Sequence, residues 1–76
     1  MRQHIRANRR IGENIRRLRS AKGITQEQLC AKLQVGGCDI SRGTLAKIEA
    51  GIRHISVEEL AAVKNVLESS YEEILQ

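Results

Sequence analysis

Thr25-Gln26-Glu27-Gln28, Ser56-Val57-Glu58-Glu59 and Ser70-Tyr71-Glu72-Glu73 share one local grammar: a hydroxyl residue followed three positions later by Glu or Gln. This is the spacing of a capping box. The hydroxyl accepts from the third amide and the longer side chain reaches back, satisfying two of the N–H groups a helix start leaves unpaired. Ser41 supplies a further start as a simple N-cap. The stops are marked as clearly, because Gly23 follows Lys22 and Gly51 follows Ala50, each placed for the left-handed conformation that ends a helix. With no proline in the chain and several capped starts, the fold class predicted is all-α, a compact five-helix bundle with short joints.

The buried faces follow from spacing. Ile11, Ile15 and Leu18 recur at i, i+4 and i+7, the stripe of a helix with one side inward. Leu29, Cys30 and Leu33 give the second helix its inner face, and Leu45 and Ile48 the third. Val57, Leu60, Val63 and Leu67 are the expected inner positions of the fourth, and Ile74 and Leu75 the apolar residues of the last. The chain has no Trp or Phe and a single Tyr, so the core must be aliphatic. At 76 residues it is near the size where one core is only marginally stabilising. Residues 1–8 are expected to form a basic N-terminal arm or an extension of the first helix, and residues 9–76 the domain. Only the joint Gln34–Ile40 is long. The second helix is expected to run to Val35 and stop at Gly36, with Ile40 filling an apolar slot ahead of Ser41.

Charge is segregated along the chain. Arg2, Arg6, Arg9, Arg10, Arg16, Arg17, Arg19 and Lys22 precede the second helix against Glu13 alone, whereas from His54 onward Lys64 stands against five glutamates. A basic front and an acidic back point to an anionic partner on one side. Cys30 and Cys38 do not make a disulfide framework, and Cys30 reads as a small hydrophobe. Adding His4 and His54 gives no zinc-ligand spacing, so neither metal nor cofactor is expected. No apolar run is long enough to span a bilayer and no signal peptide is visible; a cytoplasmic location without a membrane partner is expected. Paired catalytic carboxylates, a Ser/His/Asp set and a phosphate-cradling glycine loop are all missing from the sequence, so an enzyme is not expected.

IGENIRRLRSAKGITQEQLCAKL followed by ISRGTLAKIEAG resembles the lambda-repressor-like helix-turn-helix family, of the Cro/CI or XRE type, over roughly Arg10 to Leu75. The resemblance implies a lambda repressor-like DNA-binding domain whose helix Ser41–Ala50 enters the major groove of double-stranded DNA. By position in that family Arg42, Gly43, Thr44 and Lys47 face the bases and Gln26 meets a phosphate, with Thr25, Ser41 and Arg53 expected as further backbone contacts. Arg19 and Glu49 match positions that form a structural ion pair. An arginine paired with guanine through two bonds is worth about 1–3 kcal/mol of discrimination. For Gly43 two readings stay open, close approach to the duplex or simple tolerance. For Gln26 they are a phosphate contact or a solvated first-turn residue, and for Arg53 and His54 a flanking contact or an exposed pair. Arg9, Arg10, Arg16 and Arg17 individually read as a solvated face.

The implied function is a sequence-specific DNA-binding transcription regulator, a repressor acting as a homodimer. Tyr71, Ile74 and Leu75 are its expected interface, because the last apolar residues of so short a chain need cover. The alternative is a protein-interaction module on the same scaffold, such as an antitoxin or a phage accessory protein. Two features depart from the family pattern. The joint is about five residues longer than usual, and Lys64 stands where a small apolar residue is expected, its stem free to lie along the surface.

Overall fold

The structure, a computed structural model, describes the backbone of residues 2–76 and the side chains of residues 8–76. The side chains of the basic segment up to Ala7, His4 among them, therefore lie outside the described residues. Helices run in the order α1 (Arg2–Ala21), α2 (Gln26–Val35), α3 (Arg42–Glu49), α4 (Val57–Leu67) and α5 (Tyr71–Leu75). There is no strand among the described residues.

Every start read from the sequence is built as its residues dictate. Thr25, Ser56 and Ser70 complete full capping boxes with Gln28, Glu59 and Glu73, and Ser41 Oγ accepts from the Thr44 amide at 3.1 Å. The stops share one geometry. Gly23, Gly37 and Gly51 all adopt positive φ, as Glu68 does at the end of α4, a conformation that costs a side-chain-bearing residue about 1–2 kcal/mol and glycine nothing. At the long joint, α2 does run to Val35 with Gly36 as its cap. Gly37, at φ 93°, then turns the chain so that its own amide donates to Gln34 O at 3.0 Å and the Cys38 amide to Leu33 O at 2.8 Å. This pair of bonds is a Schellman closure. The extra residues are thus absorbed by a tight cap and a short extended run, from which Cys38 and Ile40 pack back on the core.

The core comprises Ile15, Leu29, Leu33, Leu45, Ile48, Val63, Leu67 and Ile74, so each helix contributes to it. Two expectations are corrected. Val57 is 78% exposed: at about 100° per residue it lies roughly a quarter turn from the line through Val63 and Leu67. Ile74, expected at an interface between copies, is fully buried inside the protomer. Being the first turn's inward residue, it seats α5 against the rest of the bundle.

α1 is the spine that α3 and α5 both pack on, and glycine makes its closest crossing. A Cβ on Gly12 would run into the backbone carbonyls of Ile48 and Glu49. Gly51 lies equally close on the other side of the contact, where a Cβ would sit 2.7 Å from Arg9 Cα. The end of α3 therefore lies against α1 backbone to backbone.

Candidate nucleic-acid interface

Two helices joined at a fixed angle present a face only if the angle is held. Here it is held from inside by Leu29, Leu33, Leu45 and Ile48, all buried, and from the rim by polar bonds. Arg19, in the last turn of α1, donates from Nε to Glu49 Oε2 at 2.8 Å and from Nη2 to Oε1 at 3.0 Å. Its Nη1 caps the Ile24 carbonyl at 2.9 Å. The carboxylate holds the Arg19 guanidinium above its usual pKa, against the opposing effect of burial. The ion pair implied by the family positions is therefore formed, and it pins α1, the α1–α2 joint and the end of α3 together.

The outer face of α3 is left open. Arg42, Gly43 and Lys47 are exposed and Thr44 is half-buried. Ser41 and Thr44 form a hydroxyl pair at the helix start, Ser41 Oγ donating to Thr44 Oγ1 at 3.0 Å. Beside this face runs an open crevice of about 540 Å³ that brings together the N-terminal residues Thr25, Gln26 and Glu27 of the α2 entry with Arg16, Arg19, Arg42, Ala46, Glu49 and Ala50. The positive end of the α2 dipole, flanked by Arg16 and Arg42, suits an anion, although Glu27 and the Arg19-paired Glu49 line the same walls. Arg16, which no local spacing separates from its solvated neighbours, belongs to this crevice; only the packing of α1 on α3 distinguishes it.

Two of the expected backbone contacts are engaged internally. Gln26 Nε2 donates to Glu49 Oε1 at 3.0 Å. Arg53 grips Glu59 through Nη1 to Oε1 at 3.0 Å and Nη2 to Oε2 at 3.1 Å, and also donates to the His54 carbonyl. Glu59 is at once the return arm of the α4 capping box, accepting from the Ser56 amide at 2.9 Å. The Arg53 guanidinium is the main reason its carboxyl stays below the usual carboxylate range, with the Ser56 amide assisting.

The remaining chemistry is quiet. Burial is the leading cause that pushes both the Cys30 and the Cys38 thiol up, so neither has the thiolate character of a reactive cysteine. Both are free and pack on the core. Among the described residues no His/Cys/Asp/Glu cluster could hold a metal ion, and no helix is long and apolar enough to cross a membrane. Lys64 does more than lay its stem on the surface: its Nζ lies 5.2 Å from the centre of the Tyr71 ring, within cation–π range.

The sequence reading missed Asn14. It is only 9% exposed, and its Nδ2 donates to Ile74 O at 2.9 Å and Gln76 O at 3.1 Å, while its Oδ1 accepts from Arg17 Nη2 at 3.0 Å. An asparagine beside Ile15 in an otherwise regular helix was the one available signal, and nothing in the spacing said what it would meet.

A capped helix exposed beside a basic crevice, on a scaffold braced from behind, defines a helix-turn-helix DNA-binding protein. The chain belongs to the XRE-type helix-turn-helix family, which matches it over residues 15–74, and it is a DNA-binding transcription regulator. It is similar to the restriction-modification controller protein C.AhdI from Aeromonas hydrophila, whose crystal structure superposes with a TM-score of 0.80 at 28% identity. The match covers 93% of this chain and 96% of that one. No curated protein sequence matches it.

Proposed function

We propose that this protein is a homodimeric repressor that reads two DNA half-sites, one with each α3, and that its role is of the restriction-modification controller kind. The observation that carries the reading is the crevice in which the α2 N-terminus, Arg16 and Arg42 converge beside the open face of α3. A phosphate seated in the crevice aims α3 into the major groove with Arg42, Gly43, Thr44 and Lys47 toward the bases. Thr25, Gln26 and Ser41 meet the backbone at the helix starts, Gln26 exchanging its bond to Glu49 for one to a phosphate oxygen. Arg53 flanks the same strand from the turn after α3, presented in a fixed pose by Glu59. Binding and gene control, not chemistry on a substrate, is the activity.

The second copy meets α5. Tyr71 and Leu75 are the large apolar residues left exposed there, one turn apart, and with Glu72 and Gln76 they border an open groove of about 420 Å³. Two α3 helices related by a two-fold axis enter grooves about 34–36 Å apart, one turn of the duplex.

Selection of bound sites from random duplex DNA tests all of this together. The expected product is an inverted repeat with half-sites about one helical turn apart. Affinity for it should fall with salt by about 0.9 logarithmic units per phosphate neutralised. A single asymmetric site, or no enrichment, removes the dimeric reading. Arg42→Ala should relax base preference at one position of each half-site, whereas Gln26→Ala should weaken all sites alike.

A further inference from the structure

We infer that Asn14 is a positioning residue that fixes the α5 surface relative to the α3 reading head, and so sets which half-site spacing the protein accepts. The inference rests on the dimeric reading above. α5 has five residues, far fewer than a helix needs to hold itself in water. Its start is tied by the Ser70–Glu73 box, but its last carbonyls lack intrahelical partners, as at any helix end. Asn14 supplies them. Its buried amide donates to both Ile74 O and Gln76 O, and Arg17 holds the amide in that orientation by donating to its Oδ1. One side chain thus fastens the end of the helix that carries Tyr71 and Leu75.

The same α1 also carries the contacts that fix α3. Gly12, two residues earlier, lets α1 touch the carbonyls of Ile48 and Glu49, and Arg19, further along, clamps Glu49. Between them Ile15 is fully buried in the core. α1 is therefore the rod along which the reading helix and the exposed α5 surface are both indexed. Asn14 is its polar fastening at the α5 end. If that fastening is lost, the core beneath α5 remains, through Ile74, but the pose of Tyr71 and Leu75 is no longer fixed.

The test compares Asn14→Ala with Val63→Ala, a change at a fully buried core residue of α4 that loosens the fold and lies on neither the reading helix pair nor α5. Dimerisation is measured by sedimentation equilibrium, and DNA binding on duplexes carrying one half-site or two half-sites at stepped spacings. Asn14→Ala should weaken dimerisation about tenfold, the consequence of leaving the Ile74 carbonyl unpaired in a buried position and the end of α5 unfastened. It should also broaden the range of spacings bound, while base preference within one half-site stays that of the wild type. Val63→Ala should lower the melting temperature with no change in the spacing profile. Asn14→Gln, which keeps the donor, should recover part of the spacing discrimination that Asn14→Ala loses. If wild type is dimeric and Asn14→Ala keeps its dimer affinity and spacing profile, or only follows Val63→Ala, the role assigned to Asn14 is overturned. A wild type that stays monomeric on its selected DNA overturns the dimeric reading itself, a separate failure.

Discussion

Arg19 and Glu49 are joined by two parallel bonds, 2.8 Å from Nε and 3.0 Å from Nη2, with side chains only 12% and 3% exposed. A pair so placed has given up its water, so its value lies in geometry more than in net attraction. It fixes the end of α3 against α1, and it offers the same carboxylate to Gln26 at 3.0 Å. Gln26 at the α2 start and Arg19 at the α1 end thus share one acceptor.

Removing one partner leaves a buried charge unpaired. Glu49→Ala should cost about 3–5 kcal/mol of folding stability, read from urea unfolding. Replacing both partners with Arg19→Met and Glu49→Leu should recover most of that loss, since well-packed apolar residues often match a buried pair. If the single variant loses under about 1 kcal/mol, as exposed pairs do, the pair does not brace α3 against α1.

At Gly12 the expected effect is steric. Alanine is the better helix former by about 1 kcal/mol, yet its methyl would press on the Ile48 and Glu49 carbonyls, which are backbone and cannot swing away. Gly12→Ala should therefore destabilise by about 3 kcal/mol and reduce DNA binding through displacement of α3. Thermal melting checks the first outcome and operator titration the second. An unchanged or raised melting temperature would show that α1 and α3 can separate freely.

Gly12 and Asn14 also show where sequence reasoning stopped. The helix starts, the glycine stops and the eventual core positions Leu45 and Ile48 follow from chemistry within a turn or two, because caps and periodic faces are local. The outward positions of α3, Arg42, Gly43 and Lys47, are likewise legible, because they are what the inward pair Leu45 and Ile48 leaves over. What Gly12 approaches and what Asn14 fastens lie some thirty-five and sixty residues away along the chain, and no local spacing encodes such meetings. Ile74 was misplaced for the same reason: an apolar residue near a chain end looks available until the helix it belongs to is seen folded under.

Glu59 gives the fold an acid-sensitive joint. Its carboxyl titrates below the usual range in the folded protein, held there first by Arg53 and then by the Ser56 amide, with burial acting the other way. The folded value is thus lower than the unfolded value of about 4.3. The resulting stability is present above that unfolded value and is lost as pH falls through the folded one. Glu68, lowered by Lys22, acts in the same direction at the surface. Urea midpoints should be flat from neutral pH to about 5 and decline below about 4. Glu59→Gln keeps a capping acceptor for Ser56 and should flatten part of that acid limb. A limb unchanged by the substitution would assign acid sensitivity to other carboxylates.

Gly43 separates folding from reading. Within the protein, a Cβ at this position would meet only Ser41 Oγ, at an ordinary 3.8 Å, and no positive φ is found there. Nothing in the fold requires glycine in the first turn of α3, and glycine weakens a helix by about 1 kcal/mol relative to alanine. Gly43→Ala should therefore stabilise the free protein, by up to about 1 kcal/mol. On DNA the sign reverses if the α3 backbone comes close to the bases at this point, because the added methyl then occupies space the duplex needs. The expected result is a higher melting temperature together with weaker operator binding and an unchanged dependence of binding on salt, since no phosphate contact is lost. A variant that is more stable and binds as tightly as wild type would place Gly43 off the base edges and leave Arg42, Thr44 and Lys47 as the reading set.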